Sequence, residues 1–70
     1  MERAKIESNN IESVGYEDAT NTLEVEFSSG LVYQYKDVPS YIVFELITSE
    51  SSGRYLHKKI KNNYECKKVS

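Results

Sequence analysis

Seventy residues, 39% of them hydrophobic and with a net charge of −2, set the scale of one small domain, and such a chain buries only about 60% of its unfolded surface. The single Cys66 rules out an intrachain disulfide framework, and Cys66 with His57 falls short of the Cys and His ligand set of a structural zinc site. No apolar run approaches the ~20 residues that cross a bilayer, and residues 1–10 hold only Met1, Ala4 and Ile6 as apolar side chains, unlike a secretory signal. A cytoplasmic, reducing location is expected, with no metal, no cofactor and no membrane partner.

In chain order, residues 1–9 read as a flexible leader that ends in the polar Ser8-Asn9-Asn10. Ile11, Val14 and Tyr16 then predict a first strand whose alternation is irregular. Residues 17–21 form a turn. Over 22–27 the alternation is clean, with Leu23, Val25 and Phe27 on one face and Thr22, Glu24 and Glu26 on the other, as an antiparallel strand wet on one side requires. Ser28-Ser29-Gly30 is the next turn, and it sets the register of the strand after it. A three-residue loop with Gly30 left-handed pairs Phe27 with Leu31, Val25 with Tyr33 and Leu23 with Tyr35, all on one face. A two-residue turn would instead bury Gln34 and Lys36, which is costlier.

Pro39 suits the first turn of a helix, where its missing N–H is no loss, and Ile42, Val43, Leu46 and Ile47 follow at helical spacing. Ser51 or Ser52 supplies the N-cap of a second helix, in which Leu56 and Ile60 stand four apart. Asn62-Asn63 stops it, Tyr64 folds back on the core, and 66–70 reads as a polar tail. The expected fold is therefore α+β: a three-stranded antiparallel meander followed by two helices packed on one face, with the domain spanning 10–65.

The modest net charge hides an asymmetry. Residues 1–53 carry three basic against ten acidic side chains, about −7, whereas 54–70 carry Arg54, Lys58, Lys59, Lys61, Lys67 and Lys68 against Glu65 alone, about +5. A basic segment of this kind neutralises phosphates or simply solvates a helix face. Arg54, His57, Lys58 and Lys61 recur at i, i+3, i+4 and i+7, so one side of the second helix can track a phosphate backbone. Tyr41, Tyr55 and Tyr64 add stacking surfaces wherever a ring faces outward, and otherwise form the edge of the core. Glu24 and Glu26 would repel nucleic acid from the outer sheet face, which confines binding to the helical side.

Catalysis has little to stand on. His57 and Cys66 are nine residues apart, no motif places an acid to orient the imidazole, and the isolated glycines form no phosphate-cradling loop. No catalytic residue is expected.

The ordered set Ile11, Val14-Gly15-Tyr16, Leu23-x-Val25-x-Phe27, Gly30, Tyr33-x-Tyr35, Val38-Pro39, Tyr41, Leu46, Ser52-x-Arg54-Tyr55 and Ile60-x-x-x-Tyr64 resembles the KTSC domain over residues 8–64. That family occurs at the C-terminus of some lysyl-tRNA synthetases and as free-standing bacterial and phage proteins. The resemblance implies a module without an established activity, with tRNA-like RNA as the suggested ligand. This chain departs from the family pattern where Leu56 and His57 replace a phenylalanine and an asparagine. The loss of a planar ring at Leu56 lowers any stacking role there, while His57 keeps a donor. The alternative reading is a protein-interaction module or accessory factor, homodimeric or bound to a protein partner through a sheet edge or helix face.

Overall fold

The structure, a computed structural model, describes residues 10–70 together with the backbone of Arg3–Lys5. Among the described residues, five antiparallel strands follow one another across a single sheet: β1 (Arg3–Lys5), β2 (Ile11–Glu17), β3 (Thr22–Phe27), β4 (Val32–Tyr35) and β5 (Cys66–Lys68). Two helical segments lie between β4 and β5. The first is α1 (Ser40–Thr48); the second, α2 (Ser52–Tyr55), runs directly into a π-helical turn over Leu56–Ile60. The α+β class is as expected, but the sheet has two more strands than the three-stranded meander. Both additions are three-residue edge strands that fall in the segments read as leader and tail: Arg3–Lys5 pairs with β2, and Cys66–Lys68 pairs with β4. The triplets Arg-Ala-Lys and Cys-Lys-Lys lack apolar alternation, and charge on short edge strands blunts sheet-to-sheet aggregation.

The central hairpin follows its turn chemistry. Gly30 adopts φ +97°, a region other residues enter only with strain, and its N–H bonds the Phe27 carbonyl at 2.9 Å while Phe27 N–H bonds the Leu31 carbonyl at 2.8 Å. The resulting register sets Val25 against Tyr33 and Leu23 against Tyr35, as the three-residue loop predicts. Phe27 and Tyr33 meet edge to face with ring centroids 5.8 Å apart. The irregular first strand is explained by a bulge between Ile11 and Ser13, which lets Ile11 and Val14 both reach the core.

Asn21 and Asp37 take positive φ values of 53° and 59°, as short polar side chains tolerate. Between them the chain is tied back on itself: Val38 N–H bonds the Asn21 carbonyl at 2.8 Å, and the Tyr16 hydroxyl donates to the Val38 carbonyl at 2.6 Å. Pro39 occupies the N-cap of α1, with φ −64° and ψ 150°, rather than its first turn. Its ring fixes that φ, and its extended ψ lets its carbonyl accept the first helical bond, from Ile42 N–H at 3.0 Å. Val43 and Leu46 face the sheet, while Ile47, expected inside, is 42% exposed. Ser52, buried, donates its hydroxyl to the Leu46 carbonyl at 2.9 Å, satisfying one of the orphan carbonyls at the end of α1. Ser51 is the cap of α2, its hydroxyl accepting from Arg54 N–H.

The core joins Ile11, Val14, Leu23, Val25, Tyr35 and Val38 with Val43, Leu46, Leu56 and Ile60. All of these side chains lie between the inner sheet face and the two helices.

Candidate nucleic-acid interface

The π turn decides where the basic side chains point. Lys61 N–H bonds the Leu56 carbonyl at 2.8 Å, an i to i−5 bond that widens the turn. Leu56 and Ile60 still anchor it to the core, but the expected file of four cations is divided. His57 and Lys61 line a groove of about 730 Å³ between this helix and the distal half of the β3–β4 hairpin. Lys58 borders a smaller hollow on the other side, together with Lys59 and Tyr55, and Arg54 borders both. Arg54, His57, Lys58 and Lys61 are all exposed.

Across the groove from the cations lie Phe27, Tyr33 and Tyr35 from the sheet, with Ser28 and Ser29 at the hairpin tip and Cys66 of β5 beside Tyr35. Among the described residues that line this groove there are three basic or imidazole side chains and no aspartate or glutamate. The acidic pair of β3 lies on the opposite sheet face, where Glu24 accepts from Gln34 and Glu26 from Ser13, each at 3.0 Å.

The three tyrosines expected to stack do not gather at this groove. Tyr41 is 63% exposed on the outer side of α1, Tyr64 packs half-buried against the core, and the Tyr55 hydroxyl is engaged with the Glu45 carboxylate. Burial, together with that hydrogen bond and the Glu45 charge, pushes the Tyr55 hydroxyl up to about 12. Tyr35 is likewise pushed up to about 12, mainly by burial, with the Cys66 thiol and the Tyr33 hydroxyl adding to it.

The aromatic side of the groove was present in the sequence as a core face rather than as a site. Register alone puts Phe27, Leu31 and Tyr33 on the inner sheet face, yet Leu31 is 37% exposed and Phe27 and Tyr33 are only partly buried. The usable signal was one of area: two short helices cannot cover the whole inner face of a six-residue and a four-residue strand.

The family model for the KTSC domain matches residues 7–64. The chain belongs to the KTSC family. A protein of Stutzerimonas stutzeri (strain A1501) is 39% identical over 61 residues, covering 87% of this chain and 86% of that one. The lysine–tRNA ligase of Trichormus variabilis is 41% identical over 66 residues, 94% of this chain. This chain spans only 12% of that ligase. Among solved structures, the KTSC domain protein of Yersinia pestis superposes with a TM-score of 0.94 at 30% identity, covering 99% of this chain and 97% of that one. Membership of the KTSC family therefore carries the fold, and the ligase relatives share a part rather than a whole. No helix among the described residues is long and apolar enough to cross a membrane.

Proposed function

We propose that this KTSC domain is a non-catalytic module that binds single-stranded RNA along the groove bordered by Arg54, His57 and Lys61. The observation that supports it most is the sign of the charge: a chain of net −2 presents a groove with cationic side chains on one wall, aromatic rings on the other and no carboxylate among its described lining residues. Cations that track phosphates and rings that stack on unpaired bases are the two ingredients of single-strand binding. That lysine–tRNA ligases carry a similar domain is in keeping with an RNA ligand.

The test is a titration of a fluorescent single-stranded RNA at several salt concentrations. Replacing both Arg54→Gln and Lys61→Gln should weaken binding and flatten the dependence of log K on log salt by about 0.7 for each phosphate that no longer meets a cation. The pair Lys58→Gln with Lys59→Gln, on the other side of the helix, should change affinity much less. Absence of RNA binding by the unaltered domain at low salt, or equal affinity of the Arg54/Lys61 variant, would overturn the reading.

The protein-interaction alternative rests on a different surface, the exposed Tyr41, Phe44 and Ile47 on the outer side of α1. Three side chains make a small patch beside the roughly 800 Å² per partner of a standard interface, which is why the groove is preferred.

A further inference from the structure

Tyr35 is 3% exposed and borders the groove, and because no buried side-chain oxygen or nitrogen among the described residues lacks a hydrogen-bond partner, its hydroxyl, bonded to no protein group there, reaches solvent. The hydroxyls of the partly buried Tyr16 and Tyr55 are instead taken up by protein groups, on Val38 and Glu45. Tyr35 thus offers a solvent-accessible donor, engaged by no protein group among the described residues, at the edge of an open groove. Beside it stand the partly buried rings of Phe27 and Tyr33, and on the opposite wall Arg54 and Lys61 supply positive charge. A volume of about 730 Å³ falls within the range of sites that enclose small organic ligands, roughly 300–1,000 Å³. A planar ring carrying hydrogen-bond acceptors on its edge and an anionic group a few bonds away matches all three features, and a nucleotide has that chemistry.

Building on the RNA-binding reading of the same groove, we propose that it receives one unpaired nucleotide of the strand, the base against the Phe27–Tyr33 pair, a base-edge acceptor on the Tyr35 hydroxyl and the phosphate at Arg54 and Lys61. The remaining nucleotides run outside the groove. Because the Tyr35 hydroxyl stays protonated far above neutral pH, it acts as a donor under all ordinary conditions.

Tyr35→Phe separates ligand binding from folding, since it removes only a hydroxyl without a protein partner. The variant should melt at the temperature of the unaltered domain and bind a single-stranded RNA hexamer roughly three- to tenfold more weakly, the loss of one hydrogen bond. Tyr33→Leu keeps apolar volume but no ring, and should lose about tenfold or more, as expected for one stacked base. In both variants the salt dependence should be unchanged, because every phosphate keeps its cation; a general loosening of the fold would not leave it so. The free nucleoside monophosphate should compete for the same site. If the unaltered domain binds the hexamer but both variants bind it equally well, the nucleotide site is wrong and the RNA reading stands. If the unaltered domain binds neither hexamer nor mononucleotide, both fail. Should Tyr33→Leu not fold, Tyr35→Phe alone decides.

Discussion

A tyrosine in water ionises near pH 10, and Tyr35, pushed up to about 12 by its burial, holds its proton in the folded chain after the unfolded chain has released it. Below pH 10 both states are protonated and the shift has no effect on stability. Between about 10 and 12 the unfolded state binds fewer protons, so stability falls as pH rises, by roughly 1–3 kcal/mol for a shift of this size. Tyr55, also pushed up to about 12, is more exposed and should add less. Urea midpoints near pH 8 and near pH 11 should therefore differ strongly in the unaltered domain and less in Tyr35→Phe. An equal loss in the two proteins would show that the Tyr35 hydroxyl is not held in apolar surroundings. That position was legible from the sequence: once Gly30 fixes the hairpin register, Tyr35 must lie beside Leu23 on the inner face. That its hydroxyl reaches solvent rather than a protein group was not legible, because it depends on which groups the helices and β5 bring near.

At the level of elements, α1 is a helix held by few side chains. Leu46 is fully buried and Phe44 is 68% exposed. Leu46→Ala should cost about 2–5 kcal/mol, which approaches the roughly 3–5 kcal/mol that so small a core supplies, and should leave much of the chain unfolded. Phe44→Ala should stay within about 0.5 kcal/mol. Thermal melts of the two variants measure this, and comparable losses would mean that the helix is seated with another face inward. Helical spacing identified Val43 and Leu46 correctly and failed at Ile47, which sits at the edge of the apolar arc, where a nine-residue helix on a narrow sheet runs out of cover. The π turn carries no marker in the sequence. Leu56 and Ile60 are four apart and read as ordinary helix, but the extra width moves Lys58 away from His57 and Lys61, so the basic file read from i, i+3, i+4 and i+7 became two faces. The edge strands were missed because strands chosen for charge look like tails.

Over the whole molecule, the two charge blocks of the sequence are separated only in part, since Glu45 and Glu50 lie on the helical side and Lys67 is registered opposite Gln34. The acidic Glu24 and Glu26 of β3 stay on the outer face, while the basic final segment supplies one wall of the groove through Arg54, His57 and Lys61 and an edge strand that sets Lys68 opposite Tyr33. Residues opposite one another on neighbouring strands share a face, so Lys68 lies on the sheet face of Tyr33 but is not among the described residues that line the groove. A small domain has little apolar area to leave uncovered, and this one leaves Phe27, Leu31 and Tyr33 only partly covered beside its cations. That coincidence of ring and charge is the central claim. Its most direct test is an amide-shift NMR titration of the isotope-labelled domain with a short single-stranded RNA at near-physiological salt. Saturable shifts at Phe27, Tyr33, Tyr35, Arg54, His57 and Lys61, with Tyr41, Phe44 and Lys58 unmoved, are the predicted result; shifts centred on α1, or none in a well-folded spectrum, would contradict it.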